Sequence, residues 1–154
     1  MEEKELTRAK NAAYRLLTYR PRSRVELEAK LRDRKFPEPV VQKVIDGLVR
    51  LGYVNDLQFA AQWSAGRVRL SGYGRRRIEQ ELRNKGVDVD VIKEALAGVF
   101  LDDVEMVTAK QAAEKKLNTM KSLDRETRRR RLGGFLERKG FSYEIIRNII
   151  KTIE

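Results

Sequence analysis

The chain has 154 residues, a formal net charge of +11, and 37% charged beside 41% hydrophobic residues, a mixture that suits a helical protein with a charge-rich exterior. It contains neither cysteine nor histidine, which excludes disulfides, thiolate metal sites and a cysteine nucleophile, and removes the commonest general base and zinc ligand. No apolar run approaches the roughly 18 residues of a membrane span.

The length allows one ordinary domain or a short array of small units. The start, Met1-Glu2-Glu3-Lys4-Glu5, is acidic and lacks a signal-peptide core. The basic excess favours nucleic acid, anionic membranes or acidic proteins as partners.

Taken in order, residues 3–18 predict a helix with Leu6, Ala9, Ala13, Leu16 and Leu17 on one stripe. Tyr19-Arg20-Pro21-Arg22 breaks it. Ser23 and Glu26 have capping-box spacing, which starts a second helix that buries Leu27 and Leu31. Phe36-Pro37-Glu38-Pro39 turns into a third, 40–51, with Pro37 or Pro39 at its first position, and Gly52 ends it. Asn55 caps a fourth helix, to about residue 70, with Phe59, Ala60, Trp63 and Val68 inward; Trp63 reads as core rather than as a stacking platform. Gly72-Tyr73-Gly74 is a turn, and a fifth helix carries Ile78 and Leu82 on one face before Lys85-Gly86 stops it. Helices over 88–99, 102–120, 123–139 and 142–153 complete the chain. Gly133-Gly134 reads as close helix packing.

An internal repeat underlies this order. Shifting the first third by about 51 residues and the second by about 54 aligns Leu27 with Ile78 and Leu132, and Leu31 with Leu82 and Leu136. Phe36, Val87 and Phe141 align too, as do Val40, Val91 and Ile145; Val41, Ile92 and Ile146; and Leu48, Val99 and Ile153. Arg34-Lys35-Phe36, Lys85-Gly86-Val87 and Lys139-Gly140-Phe141 form a shared turn. Lys35 stands where the others have glycine, and a lysine at positive φ costs on the order of 1 kcal/mol, so a different turn is expected there. The expected fold is all-α: three tandem three-helix repeats, 1–53, 54–100 and 101–154, in an elongated array open to curvature.

Chemistry-bearing motifs are scarce. There is no Walker-type loop, Gly72-Tyr73-Gly74 lacks a third glycine, and Ser23 and Ser71 have no histidine partner. Asp102-Asp103 with Glu105 reads as acid at a helix N-terminus rather than as a cation site. No enzyme, cofactor or metal is expected. Arg75, Arg76 and Arg77 pose a problem, because three cations at a helix N-terminus oppose its dipole. They are either a solvated charge run, or an anion site built of helix amides and guanidinium forks. Arg24 and Arg129 align with Arg75, and Arg34 and Lys139 with Lys85. Arg128-Arg129-Arg130-Arg131 is the densest charge run, and its side chains fan around their helix.

The sequence resembles the RecX family, regulators of the RecA recombinase. The resemblance rests on Tyr19-Arg20-Pro21-Arg22-Ser23 with Glu26-Leu27, on Leu51-Gly52-Tyr53-Val54-Asn55-Asp56 with Phe59-Ala60, on Arg67, and on Gly74-Arg75-Arg76-Arg77-Ile78 with Glu81-Leu82 and Lys85-Gly86. It covers roughly residues 10–98; the last third matches mainly through the repeat. It implies a cytoplasmic, bacterial and non-enzymatic modulator made of three tandem three-helix repeats; a monomer is expected. Such a protein binds RecA, the RecA–single-stranded DNA filament and DNA itself, and restrains ATPase, strand exchange and coprotease activity in DNA repair and the SOS response. The expected partner- or DNA-binding residues are Arg20, Arg22, Arg24, Arg67, Arg69, Arg75, Arg76, Arg77, Lys85, Arg128, Arg129, Arg130 and Arg131. The alternative is a sequence-tolerant nucleic-acid-binding repeat protein acting without RecA.

Overall fold

A computed structural model describes residues 1–153. Nine helices and no strand occur among them: α1 Glu2–Tyr19, α2 Arg24–Asp33, α3 Glu38–Arg50, α4 Asp56–Ser71, α5 Arg75–Asn84, α6 Val89–Val99, α7 Val104–Asn118, α8 Arg125–Arg138 and α9 Tyr143–Thr152. The all-α expectation holds, and each predicted helix appears within a few residues of its expected ends.

The starts follow local chemistry. The Ser23 hydroxyl accepts from the Glu26 amide and the Glu26 carboxylate reaches back to the Ser23 amide, a complete capping box. Asn55 accepts from the Gln58 amide, Asp124 from Thr127 and Ser142 from Ile145. At α3 the expectation needs correction. Pro37 is the N-cap and Pro39 stands one place past the first helical residue, which is Glu38. Both sites lie among the orphan amides, so neither proline costs a hydrogen bond.

The turn after the middle helix is the same in all three thirds. Lys35, Gly86 and Gly140 have φ of 68°, 78° and 94°. The next residue donates back five places each time: Phe36 to Leu31, Val87 to Leu82, Phe141 to Leu136. The expected departure at Lys35 is therefore absent; the lysine adopts the left-handed conformation itself.

The chain divides into two compact units, residues 1–60 with 82–92, and residues 61–81 with 93–154. In the first unit α1, α2 and α3 pack on one another around Ala9, Ala13, Leu27, Leu31, Val41, Val44, Ile45 and Leu48. In the second, α7, α8 and α9 do the same around Ala109, Ala113, Leu132, Leu136, Phe141 and Ile149. Leu27, Leu31, Ile78, Leu82, Leu132 and Leu136 are all 0% exposed. Burying each contributes roughly 1.5–3 kcal/mol. The last aligned column is ragged: Leu48 is buried, Val99 half-buried and Ile153 exposed. On α4 the buried residues include Phe59, Ala60 and Ser64, while Trp63 and Val68 are only half-buried.

Each unit contains one joint of the same design. In the first, the Ser23 hydroxyl donates to the Lys85 carbonyl at 2.6 Å, and the Arg24 amide donates to the Asp56 carboxylate at 2.8 Å. In the second, the Gly74 amide donates to the Lys139 carbonyl at 2.8 Å, and the Arg75 amide donates to the Glu105 carboxylate at 2.7 Å. Ser23 aligns with Gly74, Arg24 with Arg75, and Lys85 with Lys139. The start of a middle helix thus docks on the turn that follows the next middle helix, while an acid from an intervening helix start closes the same orphan amide.

Close approach explains the glycines of these joints. A Cβ on Gly86 would lie 2.5 Å from Val25 Cβ, and one on Gly140 would lie 2.4 Å from Arg77 Cβ. Lys35 is exposed, so its side chain meets no such wall. Gly133 and Gly134 correct the expectation of close packing. Their nearest neighbours would be Ile150 Cδ1 at 3.6 Å and the guanidinium of Arg138 at 3.2 Å.

A candidate partner-binding surface

Every expected binding residue is a cation, so the first matter is what each side chain already holds. Arg22 is buried and donates to the Leu16 carbonyl. Burial, aided by the charge of Arg20, holds its guanidinium below the usual arginine value. Arg20 pairs with Glu26 and donates to the Pro21 carbonyl. Arg24 bonds Glu28 at 3.0 Å and Asp46 at 2.9 Å, and the Glu28 bond leads in raising its pKa. Lys85 Nζ lies 3.8 Å from Glu26. Glu26 itself is pushed up by burial, but the bonds from Arg20 and the Ser23 amide and the charge of Lys85 leave it below the ordinary carboxylate value.

In the second unit Arg67 is clamped by Glu81 through two bonds, 3.0 and 2.7 Å, and its pKa rises mainly for that reason. Its guanidinium lies 5.5 Å from the Trp63 ring centre and 4.5 Å from that of Tyr73. The Trp63 indole N–H donates to Glu81 at 3.3 Å. Trp63 is therefore one wall of a polar clamp rather than a core residue.

The three arginines opening α5 have separate fates. Arg75 lies 5.1 Å from the Phe100 ring centre. Arg77 lies 3.8 Å from that of Tyr73 and donates to the Arg138 carbonyl at 3.0 Å. Arg76 is exposed with no acidic partner among the described residues. Neither expectation for this run holds as stated. The amides of Gly74, Arg75 and Arg76 are taken by Lys139, Glu105 and Gly140, so they are closed to an outside anion. Nor is the run wholly solvated, since two of its three side chains lie on aromatic rings. Glu105 resolves the dipole problem by placing a carboxylate at this N-terminus from another helix.

Of the α8 run, Arg129, Arg130 and Arg131 are exposed and Arg128 half-buried. Arg128 and Arg129 line a cavity of about 250 Å³ with Lys121 and Arg125. Arg69, also exposed, lines a separate groove with Lys115, Gln111, Phe135 and Lys139. Lys115 and Phe135 were not legible as site residues, because nothing in the sequence marks them off from ordinary α7 and α8 positions. Lys139 carried a signal, its alignment with Lys85. Among the described residues no group of acidic side chains could hold a metal ion, and no helix is long and apolar enough to cross a membrane.

The fold and these surfaces define an all-helical protein of tandem three-helix domains, with cations in excess of the carboxylates that face them. Three family models match in chain order: the RecX first three-helix domain at residues 9–48, the second at 55–96 and the third at 103–150. The chain is 40% identical over 144 residues to the regulatory protein RecX of Mycobacterium sp. strain JLS, covering 91% of this chain and 78% of that one. It is 36% identical over 143 residues to its namesake in Streptomyces coelicolor, covering 93% and 76%. The crystal structure of RecX from Lactobacillus salivarius superimposes with a TM-score of 0.87 at 28% identity, over 97% of both chains. A second RecX crystal structure, at 24% identity, shares the fold with a TM-score of 0.86 over 98% of this chain and 73% of that one. The chain belongs to the RecX family of regulatory proteins.

Proposed function

We propose that this protein is a cytoplasmic, non-enzymatic regulator that binds RecA and its filament on single-stranded DNA and restrains ATPase, strand-exchange and coprotease activity. The observation that carries the reading is the match of all three RecX domains, in order, across one chain. The charge is consistent with it: a net +11 favours a partner that presents phosphates and acidic side chains. The repeats at 1–53, 54–100 and 101–154 serve as successive contact modules. Arg69, Arg76 and Arg131 are exposed members of the expected set with no paired carboxylate among the described residues, and they meet the partner together with Arg130, which is exposed beside Asp124. Arg22, Arg67 and Arg77 hold the fold in place.

The test is RecA ATPase on single-stranded DNA with and without the protein at physiological salt. Inhibition by the unchanged chain is expected. Arg76→Glu weakens it while helicity and denaturation midpoint stay unchanged. No effect of the unchanged protein on ATPase, strand exchange or coprotease activity removes the reading.

A further inference from the structure

The two joints leave one turn and one helix start over. Ser23 and Arg24 seat on the turn at Lys85-Gly86, and Gly74 and Arg75 seat on the turn at Lys139-Gly140. The turn at Arg34-Lys35 and the start of α8 hold the same places in the repeat, yet neither takes part in a joint of this design.

The first module keeps most of a socket. Its turn has the left-handed residue and the backward bond of the other two. The carboxylates that close the joints, Asp56 and Glu105, each stand one turn ahead of a fully buried alanine, Ala60 and Ala109, and Glu5 stands likewise ahead of Ala9. The Glu5 carboxylate has no hydrogen-bond or ion-pair partner among the described residues. The Arg34 carbonyl, aligned with those of Lys85 and Lys139, accepts no donor among them. What differs is the side chain on residue 35. A Cβ on Gly86 would meet Val25 Cβ at 2.5 Å, and one on Gly140 would meet the Arg77 backbone nitrogen at 2.4 Å, so neither turn could seat its helix if it carried one. Lys35 carries one, and its ammonium has the sign of the Arg128–Arg131 run.

The third module has lost the plug. α2 and α5 have 10 residues each and α8 has 14, and all three end at the same place after Leu31, Leu82 and Leu136, so α8 begins about one turn sooner. Arg128 and Arg129, which align with Ser23 and Arg24, therefore fall inside the helix. The Arg128 amide donates to the Asp124 carbonyl at 3.0 Å, whereas the aligned Gly74 amide reaches out to Lys139. The Asp124 cap on Thr127 holds this added turn in place.

We infer that Lys35 and the first turn of α8 are a matched pair of terminators that stop one copy of this chain from joining head to tail with the next. A middle-helix start seated on another copy's turn is a heterologous contact, and one that does not close propagates into a fibre. Either device breaks every such link, and the pair keeps the contact refused after any single change. The inference goes beyond the proposed function and is tested without RecA.

The experiment uses two half-opened chains. Lys35→Gly opens the turn. Asp124→Gly with Arg128→Ser removes the early cap and installs one a turn later, which opens the helix start. Masses are read by sedimentation equilibrium up to about 1 mM, because a joint within one chain enjoys an effective concentration in the millimolar range. Salt of about 0.3 M screens the charge of +11. Each half-opened chain alone should keep the mass of the unchanged protein, and their equimolar mixture should gain a species of twice that mass. All three substitutions in one chain should give a mass that climbs with concentration. Glu5→Ala added to the Lys35→Gly chain should weaken pairing about tenfold, since it removes the acid that closes the joint. If circular dichroism shows helix loss in the helix-start variant, Glu126→Pro with Arg128→Ser takes its place, copying the Pro21–Ser23 spacing ahead of α2. No paired species from folded half-opened chains at the highest concentration overturns the inference, as does pairing that Glu5→Ala leaves intact. Self-association of the unchanged chain that Glu5→Ala abolishes would show that Lys35 blocks nothing, and overturns it too.

Discussion

The Ser23 hydroxyl works in both directions at once: it accepts from the Glu26 amide at 3.1 Å and donates to the Lys85 carbonyl at 2.6 Å, 62 residues away. One buried atom therefore caps α2 and fastens the turn after α5. Ser142 makes the corresponding cap on α9 without a long-range bond.

Ser23→Ala should accordingly cost more than Ser142→Ala. A lost cap is worth about 0.5–2 kcal/mol, and a buried carbonyl left without its donor about 1–3 more. We expect about 2–4 kcal/mol for Ser23→Ala and about 1 for Ser142→Ala, read from urea denaturation. Equal losses would mean that the Lys85 bond contributes nothing.

The left-handed positions should respond in opposite senses. Gly86→Ala meets both the positive φ and the Val25 side chain, so about 2–5 kcal/mol should be lost. Gly140→Ala faces Arg77 and should behave alike. Lys35→Gly relieves the backbone strain at an exposed site and should be neutral or stabilise by up to about 1 kcal/mol. A tolerated alanine at residue 86 would show that the joint is loose in solution.

Arg67→Ala should be a stability variant before it is a binding variant. It strips Glu81 of two bonds and uncovers Trp63 and Tyr73. Both partners are partly solvated, at 30% and 21% side-chain exposure, so the loss is screened to about 1–3 kcal/mol. The tryptophan emission should move as the polar clamp opens. Lost RecA inhibition at an unchanged denaturation midpoint would instead make Arg67 a contact residue.

Acid should loosen the first unit through Glu38. Arg32 and then Gln42 bind its carboxylate and hold its pKa at about 2. A depressed carboxylate stabilises the fold above its ordinary value, near 4.5, and that contribution fades as pH falls toward 2. Carbon-detected NMR titration should return the Glu38 carboxyl toward its ordinary value in Arg32→Ala. A titration unchanged in the variant would assign the effect to Gln42 and the start of α3.

What the sequence disclosed was whatever short spacing encodes. Leu31, Leu82 and Leu136 were legible because a middle helix must bury one face, and the Ser23–Glu26 box because it spans a single turn. Gly86 and Gly140 were legible as helix stops but not as points of contact, since Val25 and Arg77 are about 60 residues from them. A separation of 30 residues likewise hid Glu105 from Arg75, which made three arginines at one helix start look unopposed. Gly133-Gly134 misled for the opposite reason: a pair of glycines suggests crowding, yet these face little. Cation counts located the basic character correctly but could not separate Arg76, which is exposed, from Arg67, which Glu81 holds.

The contrast between residue 35 and its two glycine counterparts bears on redesign. A builder grafting an extra three-helix module ahead of α1 with the native coupling would first have to replace Lys35 by glycine, because its side chain would occupy the incoming partner's place. Reversing the change, Gly86→Lys or Gly140→Lys should unhook a module without touching its own core, giving an uncoupled chain with which to ask how many modules the proposed partner must feel.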